Sequence, residues 1–277
     1  MTAHDPRARG RDVLQFAPGV RERTPLARAA WWRGLLPDEA RPDDQVHYYG
    51  GPLYADTVLD ELGLGLLEPS DTWLTSLPYD LVNRSIRLTT LEEAWGLDER
   101  AFVKPPSSKD FPARVYDDGA DLATTTLDLP GETVAQVAEV VQFAAEYRLF
   151  LLDGRVHAAS RYLTWGHLDP APLNGSPHEA RVLDLVAVLD RAVGASLPSA
   201  VVLDVGLHGP ADDPERHVSA VEANMAWYSQ PYHADLDRVL DVVLRAAGPL
   251  TRVTERDRPF VRAEQGLAVP DPQRTPQ

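Results

Sequence analysis

Val201-Val202-Leu203-Asp204 and Val218-Ser219-Ala220-Val221-Glu222-Ala223-Asn224 decide how this chain is read. Both are apolar runs of strand type that end in oxygen-bearing side chains. Residues two apart on a strand share a face, so Glu222 and Asn224 point the same way. If the two strands are neighbours, Asp204 joins them. Two carboxylates and one amide oxygen are hard donors suited to Mg²⁺, which keeps several waters and shares its shell with phosphates. A lone Glu-x-Asn would be an ordinary polar strand end. The two strands taken together give the trio weight.

Around these strands the pattern alternates. Val182, Leu185, Val186, Leu189 and Val193 recur at three and four, which predicts a helix over 177–193. Ser176 before Pro177, with Glu179 three residues after Ser176, reads as its N-cap, and Gly194 as its stop. Leu236, Val239, Leu240 and Val243 predict a second helix over 236–246. Upstream, Leu149 to Leu152, Asp153-Gly154 and Val156 to Tyr162 form a hairpin pattern, because Asp-Gly favours the two-residue turn. Segment 133–147 fits either a helix face (Val134, Val137, Val141, Ala145) or a strand, and periodicity leaves both open.

Residues 13–97 read as a small α/β lobe, with a strand at 13–16, a short helix over 56–62 and a strand at Leu66-Leu67. Residues 1–12 form a polar arm. From Arg256 onward, prolines and few apolar residues predict a loose tail to 277.

Composition excludes several classes. The chain has 277 residues, 44% of them hydrophobic, enough for a sizeable core. It holds no cysteine, so disulfides, thiolate zinc sites and a thiol nucleophile are ruled out. The formal net charge is -15 and the arginines are scattered, which argues against nucleic acid as a partner. With no long apolar run and no apolar N-terminal stretch, no membrane partner is expected, and the cytoplasm is the expected location. The histidines show no metal-ligand spacing such as His-Glu-x-x-His.

The cations are more informative. Lys104 closes the run Ala101-Phe102-Val103 and is followed by Pro105-Pro106, so it projects at a rigid loop mouth. Lys104 and Lys109 are the only lysines among 27 basic residues, and both fall in one short segment. A lysine ammonium serves phosphates as a compact point charge. Arg148 and Arg161 lie at the open end of the predicted hairpin. If they pair closely, they form a two-arginine clamp for phosphate or carboxylate oxygens.

Phe102-Val103-Lys104-Pro105, Glu146-Tyr147-Arg148 with the strand and Asp153-Gly154 turn that follow, Val202-Leu203-Asp204-Val205 and Val221-Glu222-Ala223-Asn224 occur in one order. That order resembles the ATP-grasp enzymes, in particular the clade named for two arginines and one lysine, and RimK-like ligases more distantly. The resemblance covers about residues 80–247. It implies an α/β (α+β) ATP-grasp fold. The nucleotide would lie between two nucleotide lobes, at 98–140 and 141–255, with 13–97 as the lobe that precedes them. It implies ATP and Mg²⁺ (or Mn²⁺) as cofactors, with Lys104 and Lys109 near phosphates. Glu139 to Phe143 would be a hinge strand. Val140 and Val141 would meet adenine through their backbone, and Glu139 or Glu146 would take the amine or ribose. Arg148 and Arg161 would meet the transferring phosphoryl group, and Asp204, Glu222 and Asn224 would hold the metal. The slot of an earlier phosphate lysine holds Arg84 or Arg87. The implied reaction joins a small-molecule carboxylate to an amine. A kinase, or a non-catalytic ATP-binding module, remains open, as does a homodimer.

Overall fold

The computed structural model describes residues 10–106, 110–209 and 217–262. The first lobe contains β1 (Asp12–Phe16), α1 (Leu26–Trp32), β2 (Gln45–Tyr49), α2 (Pro52–Val58) and β3 (Leu64–Leu66). β1 and β2 run parallel. The helix expected over 56–62 begins earlier. Pro52 follows Gly51 and sits in the first turn, where a missing N–H costs nothing.

The chain then forms α3 (Tyr79–Val82), β4 (Ile86–Thr90), α4 (Leu91–Ala94), β5 (Ala101–Lys104), β6 (Arg114–Tyr116), α5 (Gly119–Thr126) and β7 (Val134–Ala138). The four strands make an antiparallel sheet in the order β4-β7-β5-β6. Thr90 caps α4 and Asp118 caps α5 through their side-chain oxygens. Leu91, Val103, Tyr116 and Leu122 fill a small core beneath this sheet. The expected lobe boundary at 97/98 is displaced, because β4 pairs with β7 from Ile86 to Thr90.

A second antiparallel sheet follows. It comprises β8 (Phe143–Leu152), β9 (Arg155–Thr164), β10 (His167–Pro172), β11 (Ala200–His208) and β12 (Val218–Asn224), ordered β10-β9-β8-β11-β12. The ambiguous segment is therefore two strands, β7 and the start of β8. Residues 139–142 join them as irregular backbone, not as a hinge strand. Asp153 and Gly154 have φ of 50° and 76°, the two left-handed residues that a tight hairpin turn requires.

α6 (Glu179–Val193) covers one face of this sheet, burying Val182, Leu185, Val186 and Leu189 against Leu149, Val201 and Leu203. Its N-cap is His178 rather than Ser176. Ser176 Oγ accepts from His178 N (3.2 Å), and Glu179 reaches back to Gly175 N (2.8 Å). α7 (Leu236–Ala246) covers the other face. Asp235 caps it by accepting from Asp237 N and Arg238 N. Its buried residues share one core with Leu14, Tyr48, Phe150 and Val202. The first lobe and the large sheet are thus fused. β13 (Ala247–Pro249) completes the fusion by pairing with β3.

Residues 256–262, expected as the start of a loose tail, are docked. Asp257 accepts from Ser199 N and Oγ at 2.7 Å each. Arg262 binds Asp56 (2.7 Å) and Glu68 (2.9 Å). Among the described residues, no helix is long and apolar enough to cross a membrane.

Candidate functional site

β11 is covered on both faces, and its residues Ala200 to Leu207 are buried. Asp204 is the charged exception, with no exposure at all. A buried carboxylate needs a partner, because an unpaired one costs several kcal/mol, on the order of its desolvation. The partner is Arg148, directly across on β8. Its Nε and Nη2 donate to the two Asp204 oxygens at 2.9 and 2.6 Å. Burial works against the Arg148 charge, yet Asp204 raises its pKa above the ordinary value. Burial likewise pushes the Asp204 carboxyl up, against the pull of Arg148. The bidentate geometry favours the ion pair.

Glu222 lies opposite Asp204 on β12, and Asn224 opposite Val202. Asn224 Nδ2 donates to Glu222 Oε1 at 2.8 Å and to Asp204 Oδ2 at 3.3 Å. The metal trio of the sequence is therefore assembled on one face. It is not equally accessible: Glu222 and Asn224 line a cavity and Asp204 does not. Among the described residues, no group of three or more His, Cys, Asp or Glu side chains gathers as a metal site. The donor set that fits Mg²⁺ is one half-buried, cavity-lining carboxylate and one amide, with the Asp204 charge behind them.

Lys104 reaches across from the end of β5, and its Nζ is 2.5 Å from Glu222 Oε2. Burial pushes the Glu222 carboxyl up, but the Lys104 charge and hydrogen bond outweigh it and lower its pKa to about 2. This ion pair closes the gap between the two sheets. It also divides two cavities, because Lys104 and Glu222 line both.

The first cavity, about 460 Å³, lies between the sheets. Its walls include Glu139, Val140, Val141, Phe143, Glu146 and Trp165. The residues expected around a nucleotide thus line one space. Glu139 also accepts from Ser85 N at 3.3 Å, and Glu146 accepts from Tyr162 Oη at 2.8 Å. Burial raises the pKa of Glu146. Arg84 forms part of the wall. Its guanidinium donates to the carbonyls of Val82, Ala220 and Val221 at 2.9, 2.8 and 3.1 Å. Burial lowers its pKa to about 10. Arg87, the other residue considered for that slot, lines neither cavity.

The second cavity, about 730 Å³, opens on the other side of the Lys104–Glu222 pair. Arg148, Asn224, Phe111, Met225, Tyr228 and Tyr232 line it, together with prolines 52, 105, 106 and 112.

Arg161 does not join Arg148. It stands opposite Tyr147, binds Asp169 Oδ2 at 2.7 Å and lines neither cavity. The cause is a bulge. Counting back from the Asp153-Gly154 turn without interruption would put Arg161 opposite Glu146, on the face of Arg148. Instead Leu151 pairs with Val156 and Phe150 with Ala158, which leaves His157 as an extra residue. One extra residue turns the rest of the strand over. Arg148 then faces Ser160, and a second irregularity brings Tyr162 toward the site. Sequence reasoning missed Tyr162, although it follows the arginine that was singled out. It also missed Tyr232, which no spacing signals. Lys109 lies outside the described residues.

The match to known families agrees with this geometry. Residues 81–242 match the family model for the ATP-grasp domain of the clade named for two arginines and one lysine, family 2. The chain belongs to that ATP-grasp family. No curated protein matches it at sequence level. Among solved structures, it is similar to D-alanyl-alanine synthetase A from Vibrio cholerae, with 11% identity and a TM-score of 0.50 over 84% of this chain and 93% of that one. It is also similar to a RimK domain ATP-grasp protein from Sphaerobacter thermophilus (14% identity, 86% and 99% covered, TM-score 0.47). A third is a D-alanine–D-alanine ligase from Bacillus anthracis complexed with ATP (10% identity, 86% and 96% covered, TM-score 0.47). The fold is the ATP-grasp fold, a mixed α+β arrangement of helices and antiparallel sheets.

Proposed function

We propose that this protein is an ATP-dependent ligase that activates a carboxylate as an acyl-phosphate for attack by an amine. The observation that carries the reading is the meeting of two cavities at Lys104 and Glu222. A phosphoryl transfer between two bound reactants needs such a junction, with cations on the side where charge is transferred.

The nucleotide occupies the cavity between the sheets. Its base meets the 139–142 connection, and its phosphates point toward Lys104. The carboxylate enters from the larger cavity and meets Arg148. A carboxylate oxygen attacks the γ-phosphorus, the bond to the β-phosphate oxygen breaks, and ADP leaves. The amine then attacks the acyl carbon, inorganic phosphate departs, and the amine loses a proton. Lys104 and Arg148 share the negative charge of the transferring group, and their fixed positions spare the reorganisation that water would need. Glu222 and Asn224, with Asp204 behind them, would hold Mg²⁺ or Mn²⁺, which neutralises phosphate charge when bound.

The test is Mg²⁺-dependent ADP release across panels of carboxylates and amines, with product mass. ADP release that needs both partners and a product heavier by their condensation support the reading. Release with a single acceptor that becomes phosphorylated would make the protein a kinase. ATP binding with no turnover across the panel would make it a binding module.

A further inference from the structure

Four non-glycine residues among those described have positive φ: Asn83, Asp153, Trp165 and Tyr232. Three stand where such a backbone is common. Asn83 ends α3, while Asp153 and Trp165 each precede a glycine in a hairpin turn. Tyr232, at φ 50°, stands in a turn closed by Ala234 N on Pro231 O, with no hairpin around it and no glycine beside it. A bulky side chain in the left-handed region is strained, and such strain persists only where the surroundings over-determine it. Here they do. Tyr49 Oη donates to Ser229 O at 2.9 Å, His233 N donates to Ser160 Oγ at 3.1 Å, and Ala234 N donates to Pro231 O at 3.0 Å.

The strained backbone places the Tyr232 ring against Tyr162, with ring centres 5.2 Å apart and planes 17° from parallel. The Arg148 guanidinium carbon lies 5.4 Å from the centre of each ring. Asp204 fixes one edge of that guanidinium, and the stacked tyrosines flank it. Tyr232 lines the larger cavity and Tyr162 the nucleotide cavity, so the pair stands where the two spaces meet.

We propose that Tyr232 is a positioning residue, whose ring holds the Arg148 guanidinium in the orientation that phosphoryl transfer requires. The aromatic face attracts the cation and limits its rotation away from the Asp204 carboxylate. The ring does this, so the phenol hydroxyl is dispensable. The assignment of Arg148 to the transferring group rests on the ligase reading above. The ring-to-guanidinium restraint does not.

Tyr232→Asn removes the ring while keeping a residue that tolerates the left-handed backbone, and Tyr232→Phe keeps the ring. The first readout is the Arg148 Nε–H resonance of the ¹⁵N-labelled full chain, assigned by its loss in Arg148→Lys. It should be sharp and slow to exchange in the wild type and in Tyr232→Phe, and broadened or lost in Tyr232→Asn. The second readout is calorimetric binding of MgADP with and without fluoroaluminate, a mimic of the transferring phosphoryl group. Tyr232→Asn should keep its MgADP affinity within about twofold and lose up to about 100-fold of the gain from fluoroaluminate, the scale of a misplaced catalytic group. A protected Arg148 signal in Tyr232→Asn overturns the proposal. So does equal damage in Tyr232→Phe, which would assign the role to the hydroxyl. If wild-type protein binds no MgADP, the ligase reading fails, and the resonance alone still decides the restraint.

Discussion

The two cavities that meet at Lys104 and Glu222 are built in different ways. The cavity between the sheets is walled by strand ends and by the short 139–142 connection. Its positions follow from pairing registers. The larger cavity is walled by prolines, by residues 110–113 and by the segment 225–232, which lies outside the sheets. Ladder hydrogen bonds fix strand positions to within a fraction of a residue. Loop positions depend on tertiary contacts that no local pattern encodes. In the proposed reaction the first cavity would carry the general part and the second the specific part.

The largest effects are expected at the Lys104–Glu222 pair that both cavities share. Glu222→Gln should lower Mg²⁺-dependent ADP release by about 100-fold or more while leaving the circular dichroism spectrum unchanged. Unaltered turnover would remove Glu222 from the site. Lys104→Met should weaken ATP binding by about 10- to 100-fold, the worth of a charged hydrogen bond of about 1.5–3 kcal/mol. Calorimetry checks it, and adenosine affinity should stay the same. The two sides separate at Trp165 and Tyr228. Trp165→Ala should weaken ATP by about fivefold or more, as loss of an aromatic surface for the base does. Tyr228→Ala should leave ATP binding within about twofold and raise the KM of the carboxylate. Equal effects of both variants on ATP would merge the two cavities into one.

The smallest effect concerns acid. The folded-state pKa of Glu222 is about 2, below the ordinary 4.5 of a glutamate. The unfolded chain therefore takes up this proton first. The stabilisation by the Lys104 pair is complete above about pH 4.5 and fades as pH falls toward 2. Wild type and Glu222→Gln should converge in Tm over that interval. A gap that stays constant from pH 6 to 3 would show that the ion pair contributes nothing.

The central part of the site was legible because the pairing from Val202–Asn224 to Asp204–Glu222 is uninterrupted, the irregularity of that ladder falling after Asp204. β11 and β12 read as apolar strands with polar ends, and their register carries Asp204, Glu222 and Asn224 to one face. Lys104 was marked by the scarcity of lysine and the prolines behind it. The arginine clamp was not legible. It rested on a hairpin register that the turn predicts and a bulge at His157 cancels. Nothing in the local sequence announces that bulge: His157 Nε2 lies 2.9 Å from Asp241 Oδ2 on α7, a contact between segments far apart in the chain. The docked 256–262 segment was misread for a related reason. Its low apolar content suggests a tail, but it is held by polar contacts of Asp257 and Arg262.

The shared core has a mechanical consequence. The first lobe and the five-stranded sheet are one body, packed through Leu14, Tyr48, Phe150 and Val202. The four-stranded sheet keeps a core of its own and joins that body through residues 83–85 and 139–142. Glu139 N donates to Ser85 O at 2.9 Å, so the two connections are laced together. The molecule is thus a heavy base with a light jaw on a double-stranded pivot. Arg84 is the pin of that pivot, with its guanidinium bonded to the carbonyls of the two residues that precede Glu222 on β12. A swing of the small sheet about these connections would therefore pull on the same strand that presents Glu222 and Asn224.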